Sequence, residues 1–187
     1  NVVAQEGIRL GIAMCIHQGN YHELEKMLDF AVDVGASTFA WFNFIPVGRG
    51  PEMTKHDLTP QQREHILRVL NETMQSGRIS IMSTAPQLCR VSLAYAPLDG
   101  KQACSHVGGG GGEKARVVAK YVGGCGAGRC YICIEPDGTI TPCVYMPQRI
   151  LGYVPNRDII DIFRNNEFWE GLCNRDLRTG HCEVCEF

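Results

Sequence analysis

Residues 8–45 read IRLGIAMCIHQGNYHELEKMLDFAVDVGASTFAWFNFI, and the change of hydrophobic period within them decides the fold class. Residues 8–16 (IRLGIAMCI) are an apolar run of strand length with no charge after Arg9, as expected of a strand buried on both faces. Asn20 then stands where a helix N-cap belongs, with Glu23 three residues on as its capping-box partner. Leu24, Met27, Leu28, Ala31 and Val34 follow at helical spacing, and Gly35 supplies the stop. Residues 37–45 (STFAWFNFI) are a second strand, rich in aromatics, ended by the loop Pro46-Val47-Gly48-Arg49-Gly50. Thr59 and Gln62 form another capping box, with Pro60 at the first helical position. Ile66, Leu67, Leu70 and Met74 give that helix a buried stripe, Gly77 closes it, and residues 79–84 (ISIMST) are a third strand. Strand, helix, strand, helix, strand requires parallel pairing with right-handed crossovers. An open sheet and a piece of a barrel both satisfy the pattern.

From residue 86 to about 124 the periodicity dissolves, and Gly108 to Gly112 are five consecutive glycines. Such a run holds no regular structure cheaply. A phosphate-cradling reading needs a preceding strand and a following Lys-Ser/Thr helix start, whereas Glu113-Lys114-Ala115 follow here. The expected organisation is therefore an α/β part over residues 1–88, a flexible connector over 89–124 and a second module over 125–187. In that module residues 129–135 alternate like a strand, Pro136-Asp137-Gly138 is turn chemistry, and residues 139–144 return as a hairpin. Residues 158–169 carry Ile159, Ile162 and Phe163 at the spacing of a short amphipathic helix.

Composition narrows the function classes. The 187 residues carry a net charge of −2, which argues against a nucleic-acid coat. No apolar run approaches the ~18 residues of a membrane span, and there is no basic, apolar-cored signal segment, so a cytoplasmic setting is expected. The chain opens at Asn1 in what reads as the tail of a helix and stops two residues after a CxxC, as expected of a fragment cut at both ends. Cysteine is the anomaly: of ten, one (Cys15) lies in the first 88 residues and seven crowd the last third. Clustered cysteines of this kind suggest metal rather than a disulfide scaffold.

Cys182-x-x-Cys185 is a chelate bite, able to present two thiolates to one metal or cluster. Cys125 lies in a glycine-rich knuckle (GGCGAGRC) whose backbone N–H groups can approach cluster sulfurs, and Cys143 follows a proline after the hairpin, so it is expected to return close to Cys125. A buried free cysteine is the expectation for Cys15 and Cys89. Zinc and iron–sulfur both use such half-sites, and spacing alone does not separate them.

The stretch CGAGRCYICIEPDGTITPCVYMP, with Cys125, twelve residues, Gly138, four residues and Cys143, resembles the opening of the SPASM motif, Cx9–15Gx4C. SPASM modules are auxiliary iron–sulfur domains at the C-termini of many radical S-adenosylmethionine enzymes. The segment Leu177-Arg-Thr-Gly-His-Cys182-Glu-Val-Cys185 is similar to the module's L-x-G-x-CxxC, which normally continues to CGGC and a last cysteine beyond Phe187. Upstream, the strand ending near Asn20 and the stretch FNFIPVGRG resemble the fifth and sixth strands of the radical-enzyme barrel. Cys125-x4-Cys130-x2-Cys133 resembles the catalytic Cx3Cx2C loop but is one residue too long, and follows three strands instead of the first, so it is not that loop.

The resemblance implies the C-terminal part of a partial (β/α)6 TIM-like barrel followed by a small SPASM module, a β-hairpin plus a short helix. It implies that Cys125 and Cys143, with Cys130 as third ligand, hold one auxiliary 4Fe–4S cluster, and that Cys182 and Cys185 begin a second; Cys133 and Cys173 have no secure match. It further implies S-adenosylmethionine as cofactor of the intact protein and radical chemistry on a peptide, tetrapyrrole or other small substrate. A ferredoxin or flavodoxin would donate electrons, and neither nucleic acid nor membrane is a partner. The subgroup with haem-biosynthesis and peptide-cofactor-maturation enzymes is the nearest in wording. The alternative is a zinc-stabilised, non-catalytic binding module fused to an α/β domain. Ligands of parallel α/β structures sit at the carboxyl ends of strands, where Asn43, Arg49, Thr84 and Gln87 are expected to face one cavity, with Arg49 as a fork for a carboxylate or phosphate.

Overall fold

The computed structural model describes residues 2–83, 85, 87–95, 126–127, 131–156, 158–165 and 167–184. It divides into two compact units, Asn1–Gly124 and Cys125–Phe187.

The first unit runs α1 (Val2–Gln5), β1 (Gly11–Ile16), α2 (Leu24–Asp33), β2 (Thr38–Asn43), α3 (Pro60–Ser76), β3 (Ser80–Ser83) and α4 (Gln87–Tyr95). The strands pair in parallel in the order β1-β2-β3, with Ala13 beside Ala40 and Ala40 beside Met82. Chain neighbours are thus sheet neighbours, as in the arc of a barrel.

The expectation of strands buried on both faces fails at β1. Exposure there alternates, only Ile16 is fully buried, and Cys15 is exposed. The reason is one-sided cover. Ile16, Phe39, Trp41 and Ile81 share one core with Leu24, Leu28 and Ala31 of α2, Ile66, Leu67, Leu70 and Met74 of α3, and Leu88 and Val91 of α4. Side chains alternate across a strand, so the other face carries Gly11, Ala13 and Cys15, then Thr38, Ala40 and Phe42, then Ser80 and Met82. Each large side chain fully buried on the helix side contributes about 1.5–3 kcal/mol of transfer free energy.

Local signals worked best where backbone chemistry is strict. Thr59 accepts from the Gln62 N–H at 3.2 Å, and the Gln62 side chain accepts from the Thr59 N–H at 2.9 Å. Gly77 ends α3 in the left-handed conformation, φ 69°. Asn20 behaves differently. It precedes a short 3-10 turn, Tyr21–Glu23, without capping it; its side chain instead accepts from the His17 N–H at 2.8 Å and donates to the Cys15 carbonyl at 3.0 Å. The asparagine thus ties the strand exit to itself, and α2 starts at Leu24.

α4 lies where the pattern was expected to dissolve, so the first unit continues past residue 88. It is held on α3 by Arg90 to Glu64 and by the Arg68 guanidinium, which donates to the Tyr95 hydroxyl at 2.6 Å and lies 4.8 Å from its ring centre. Thr84 and Gly108 to Gly112 lie outside the described residues.

In the second unit β4 (Cys133–Ile134), β5 (Thr139–Thr141) and β6 (Gly152–Tyr153) form an antiparallel sheet, followed by α5 (Ile159–Asn165) and α6 (Glu167–Cys173). The expected hairpin is present but gains a third strand, and the single expected helix is two. Asp137 shapes the turn by accepting from the Thr139 N–H at 2.9 Å. Gly138 completes it at φ 84° and accepts from the Val154 N–H at 2.9 Å. Ile140, Leu151, Ile162 and Trp169 form this unit's own core, with the Phe163 and Trp169 rings edge to face at 4.9 Å.

Candidate functional site

Cys143 leaves the sheet just after β5, buried and not disulfide-bonded. The Tyr131 hydroxyl lies 3.6 Å from its Sγ, and its carbonyl accepts from the Thr141 hydroxyl at 3.4 Å. Tyr131 is also bridged to Ala127, in the glycine-rich knuckle, so that knuckle residue and the approach to Cys143 belong to one small framework. A soft thiol, shielded by the fold and faced by a hydroxyl, suits ligation of a thiolate-bound cluster. Donor chemistry therefore fits iron–sulfur.

Cys133 is arranged differently. It lies on β4 opposite Thr141, and its thiol donates to Glu135 Oε1 at 3.4 Å. Burial pushes this thiol up from its ordinary value, and the hydrogen bond to and negative charge of Glu135 push it further.

Cys182 ends a 3-10 turn, Gly180–Cys182, that Gly180 enters at φ 67°. Its side chain, those of Cys89 and Cys173, and the whole of Cys125, Cys130 and Cys185 lie outside the described residues. Among the described residues no group of three or more His, Cys, Asp or Glu is placed to hold a metal ion.

At the strand ends of the first unit, Asn43 closes β2 with its side-chain oxygen accepting from Arg63. Arg63 also bridges to Asp57 at 2.8 Å. Asn43 is thereby turned to the start of α3 as a structural anchor. Arg49 is exposed, just before the 3-10 turn Gly50–His56, a turn the sequence pattern did not announce. The glycines around it serve the loop's own path. Gly48 takes φ 59°, and a Cβ on Gly50 would stand 3.2 Å from the Ile45 carbonyl. Gln87 is exposed at the first residue of α4, and Thr84 lies outside the described residues.

Sequence reasoning missed two histidines at this edge. His17 follows β1, His56 ends the 3-10 turn, and their rings lie edge to face at 6.4 Å. His17 Nδ1 accepts from the Gly19 N–H at 3.0 Å, and the Gln18 N–H donates to the His56 carbonyl at 2.9 Å. Their 39-residue separation leaves no local spacing signal; only pairing between two loops brings them together.

Comparison with known proteins agrees with this geometry. Residues 125–186 match the SPASM family, an iron–sulfur cluster-binding domain. The AdoMet-dependent heme synthase of Methanosarcina barkeri is 24% identical over 173 residues, covering 92% of this chain and 46% of that protein. The protein of the same name from Nitratidesulfovibrio vulgaris is 21% identical, covering 97% and 47% respectively. The chain thus spans about half the length of the curated relatives it matches. Streptococcus suis SuiB, solved bound to S-adenosylmethionine, shares the fold with a TM-score of 0.58 at 15% identity, over 97% of this chain and 41% of that one. The second unit thus matches an iron–sulfur cluster-binding SPASM domain, and the chain as a whole is similar in fold to SuiB.

Proposed function

We propose that this chain is the C-terminal part of a radical S-adenosylmethionine oxidoreductase or maturase whose SPASM module holds auxiliary 4Fe–4S clusters. The observation that carries the reading is Cys143: a buried, free thiol placed by the Gly138 turn at the motif's spacing and faced by a hydroxyl. Cys125, Cys143 and Cys130 would hold the first auxiliary cluster, and Cys182 and Cys185 would contribute to a second. When bound, S-adenosylmethionine and the clusters supply radical hydrogen abstraction and one-electron transfer, chemistry that belongs to the cofactors. The chain's own residues do the positioning. The β4-β5 hairpin fixes Cys143, Thr141 holds its carbonyl, and Glu135 keeps the neighbouring Cys133 thiol engaged elsewhere. At the strand ends the exposed Arg49 would supply a guanidinium for a substrate or cofactor carboxylate.

The heme synthase names of the relatives favour a tetrapyrrole over a peptide or other small molecule as substrate. A ferredoxin- or flavodoxin-type donor and a cytoplasmic setting complete the proposal; among the described residues no helix is long and apolar enough to cross a membrane. The test is metal analysis of anaerobically reconstituted protein. Iron and sulfide in near-equal amounts, with broad visible absorption, are expected, and Cys143→Ala should remove one cluster's worth while Cys15→Ala removes none. Colourless protein carrying zinc would instead establish the non-catalytic binding module.

A further inference from the structure

The β4-β5 register pairs Cys133 with Thr141 and Ile134 with Ile140. Two residues beyond that pairing on each side, the Tyr131 hydroxyl lies 3.6 Å from the Cys143 sulfur. Cross-strand neighbours of this kind face each other on one side of a sheet. Tyr131 is further fixed through its backbone bridge to Ala127, so its ring stands on a held segment. Between a thiol and a phenol either group can donate. A cluster-bound cysteine has lost its proton, so the sulfur can only accept, and the hydroxyl must be the donor.

Resting on the cluster reading above, we propose that Tyr131 is a positioning residue that sets the reduction potential of the first auxiliary cluster through a hydrogen bond to the Cys143 sulfur. A donor to a ligand sulfur withdraws negative charge from the cluster and stabilises the reduced form, which carries one electron more, so it raises the potential. The step is reversible addition of one electron, from dithionite in the test, with no bond made or broken. No ligand is added, so metal content is independent of the hydroxyl.

The experiment is a potentiometric titration of reconstituted full-chain protein and its Tyr131→Phe variant, followed by electron paramagnetic resonance. The cluster concerned is identified as the one missing from Cys143→Ala. In Tyr131→Phe the iron content should equal wild type, and the midpoint should fall by the equivalent of about three- to tenfold in the reduction equilibrium. For one electron that is about 28–59 mV. An exchangeable-proton coupling to the reduced cluster, present in H2O and absent in D2O, should disappear with the hydroxyl. An unchanged midpoint with the coupling retained would overturn the proposal and leave the cluster reading standing. Loss of iron in Tyr131→Phe would make Tyr131 part of the scaffold and overturn the tuning role. Zinc in the wild-type protein would overturn the cluster reading itself.

Discussion

Replacing Arg63 with methionine should unlatch the carboxyl edge of β2 from the start of α3. Arg63 keeps about a fifth of its side-chain surface exposed, donates to the Asn43 side chain and bridges to Asp57 at 2.8 Å. The two partners differ in worth. The bond to Asn43, a charged donor on a neutral amide, falls in the range of about 1.5–3 kcal/mol. Asp57 is 43% exposed, so solvent screens its pair to about 0.2–1 kcal/mol. Methionine preserves most of the aliphatic packing, which leaves an expected loss of about 2–3 kcal/mol. With a urea m-value of about 2 kcal/mol/M, the midpoint should drop by about 1–1.5 M. The chain offers a clean assay. Trp41 is fully buried in the first unit and Trp169 in the second, so a Trp169→Phe background reports the first unit alone by fluorescence. Arg63→Lys should fall between wild type and methionine, because an ammonium cannot span both acceptors as a guanidinium fork does. A midpoint shift below about 0.3 M in Arg63→Met would refute the latch and return Asn43 to the set of residues free to meet a ligand.

Cys133→Ser should leave iron content at the wild-type level on metal analysis, because the Cys133 thiol is engaged in a hydrogen bond to Glu135. Loss of a cluster's worth of iron would make it a ligand. Burial alone would raise Glu64, but hydrogen bonding and charge from Arg90, then Arg68, outweigh it and hold the carboxyl below its ordinary value. A depressed folded pKa contributes stability above the unfolded carboxylate value of about 4.3, and that contribution is lost as pH falls through the folded value. Urea titrations at stepped pH should therefore show wild type losing its advantage over Glu64→Gln below about pH 4.3, and a gap constant through that window would contradict the pairing. In a protein of the relatives' full length, Arg49→Lys should weaken substrate or cofactor binding by about 1–3 kcal/mol in calorimetry while cluster content stays constant, and unchanged binding would make Arg49 a surface charge.

What was legible in the sequence tracks the range of the interactions. The Thr59–Gln62 box, the Gly77 stop and the Pro136-Asp137-Gly138 turn are specified within a few residues, and each stands where the residues place it. Asn20 has the same local credentials but loses to a competing arrangement, since its amide can satisfy both the His17 N–H and the Cys15 carbonyl at once. Burial was less legible. An apolar run such as residues 8–16 states that water is unwelcome without stating which face is covered, and α2, α3 and α4 all cover the same face. Residues 87–95 carry no run long enough to announce a helix, and α4 depends on tertiary anchors 26 and 27 residues away, Arg90 to Glu64 and Arg68 to Tyr95. At the site, cysteine spacing was readable because a cluster motif is a short-range device. The pairing of His17 with His56 and of Arg63 with Asn43 depends on which loops meet, and no spacing encodes that.

The spacing of the cluster motif has a structural origin that the metal alone does not supply. Gly138 must stand at φ 84°, a conformation that costs an L-residue strain, and a Cβ there would meet the Val154 carbonyl at 3.2 Å. That close approach exists because the Val154 N–H returns to the Gly138 carbonyl at the edge of the third strand, so the glycine is demanded by two neighbours at once. From Gly138 the three residues of β5 lead to Pro142 and then to Cys143, a fixed extended path. The four residues between glycine and cysteine are therefore the length of one short strand plus its exit. Within that strand Ile140 is buried in the module's core, with Leu151, Ile162 and Trp169 behind it. A one-residue slip would turn Ile140 outward and set Cys143 on the wrong side of the hairpin. The sulfur's position is thus set by the hydrophobic register of the sheet, and the Tyr131 hydroxyl meets it at 3.6 Å. Ligand geometry and core packing are here one constraint, which is why a motif written as glycine, four residues and cysteine can identify a cluster site without mentioning a single core residue.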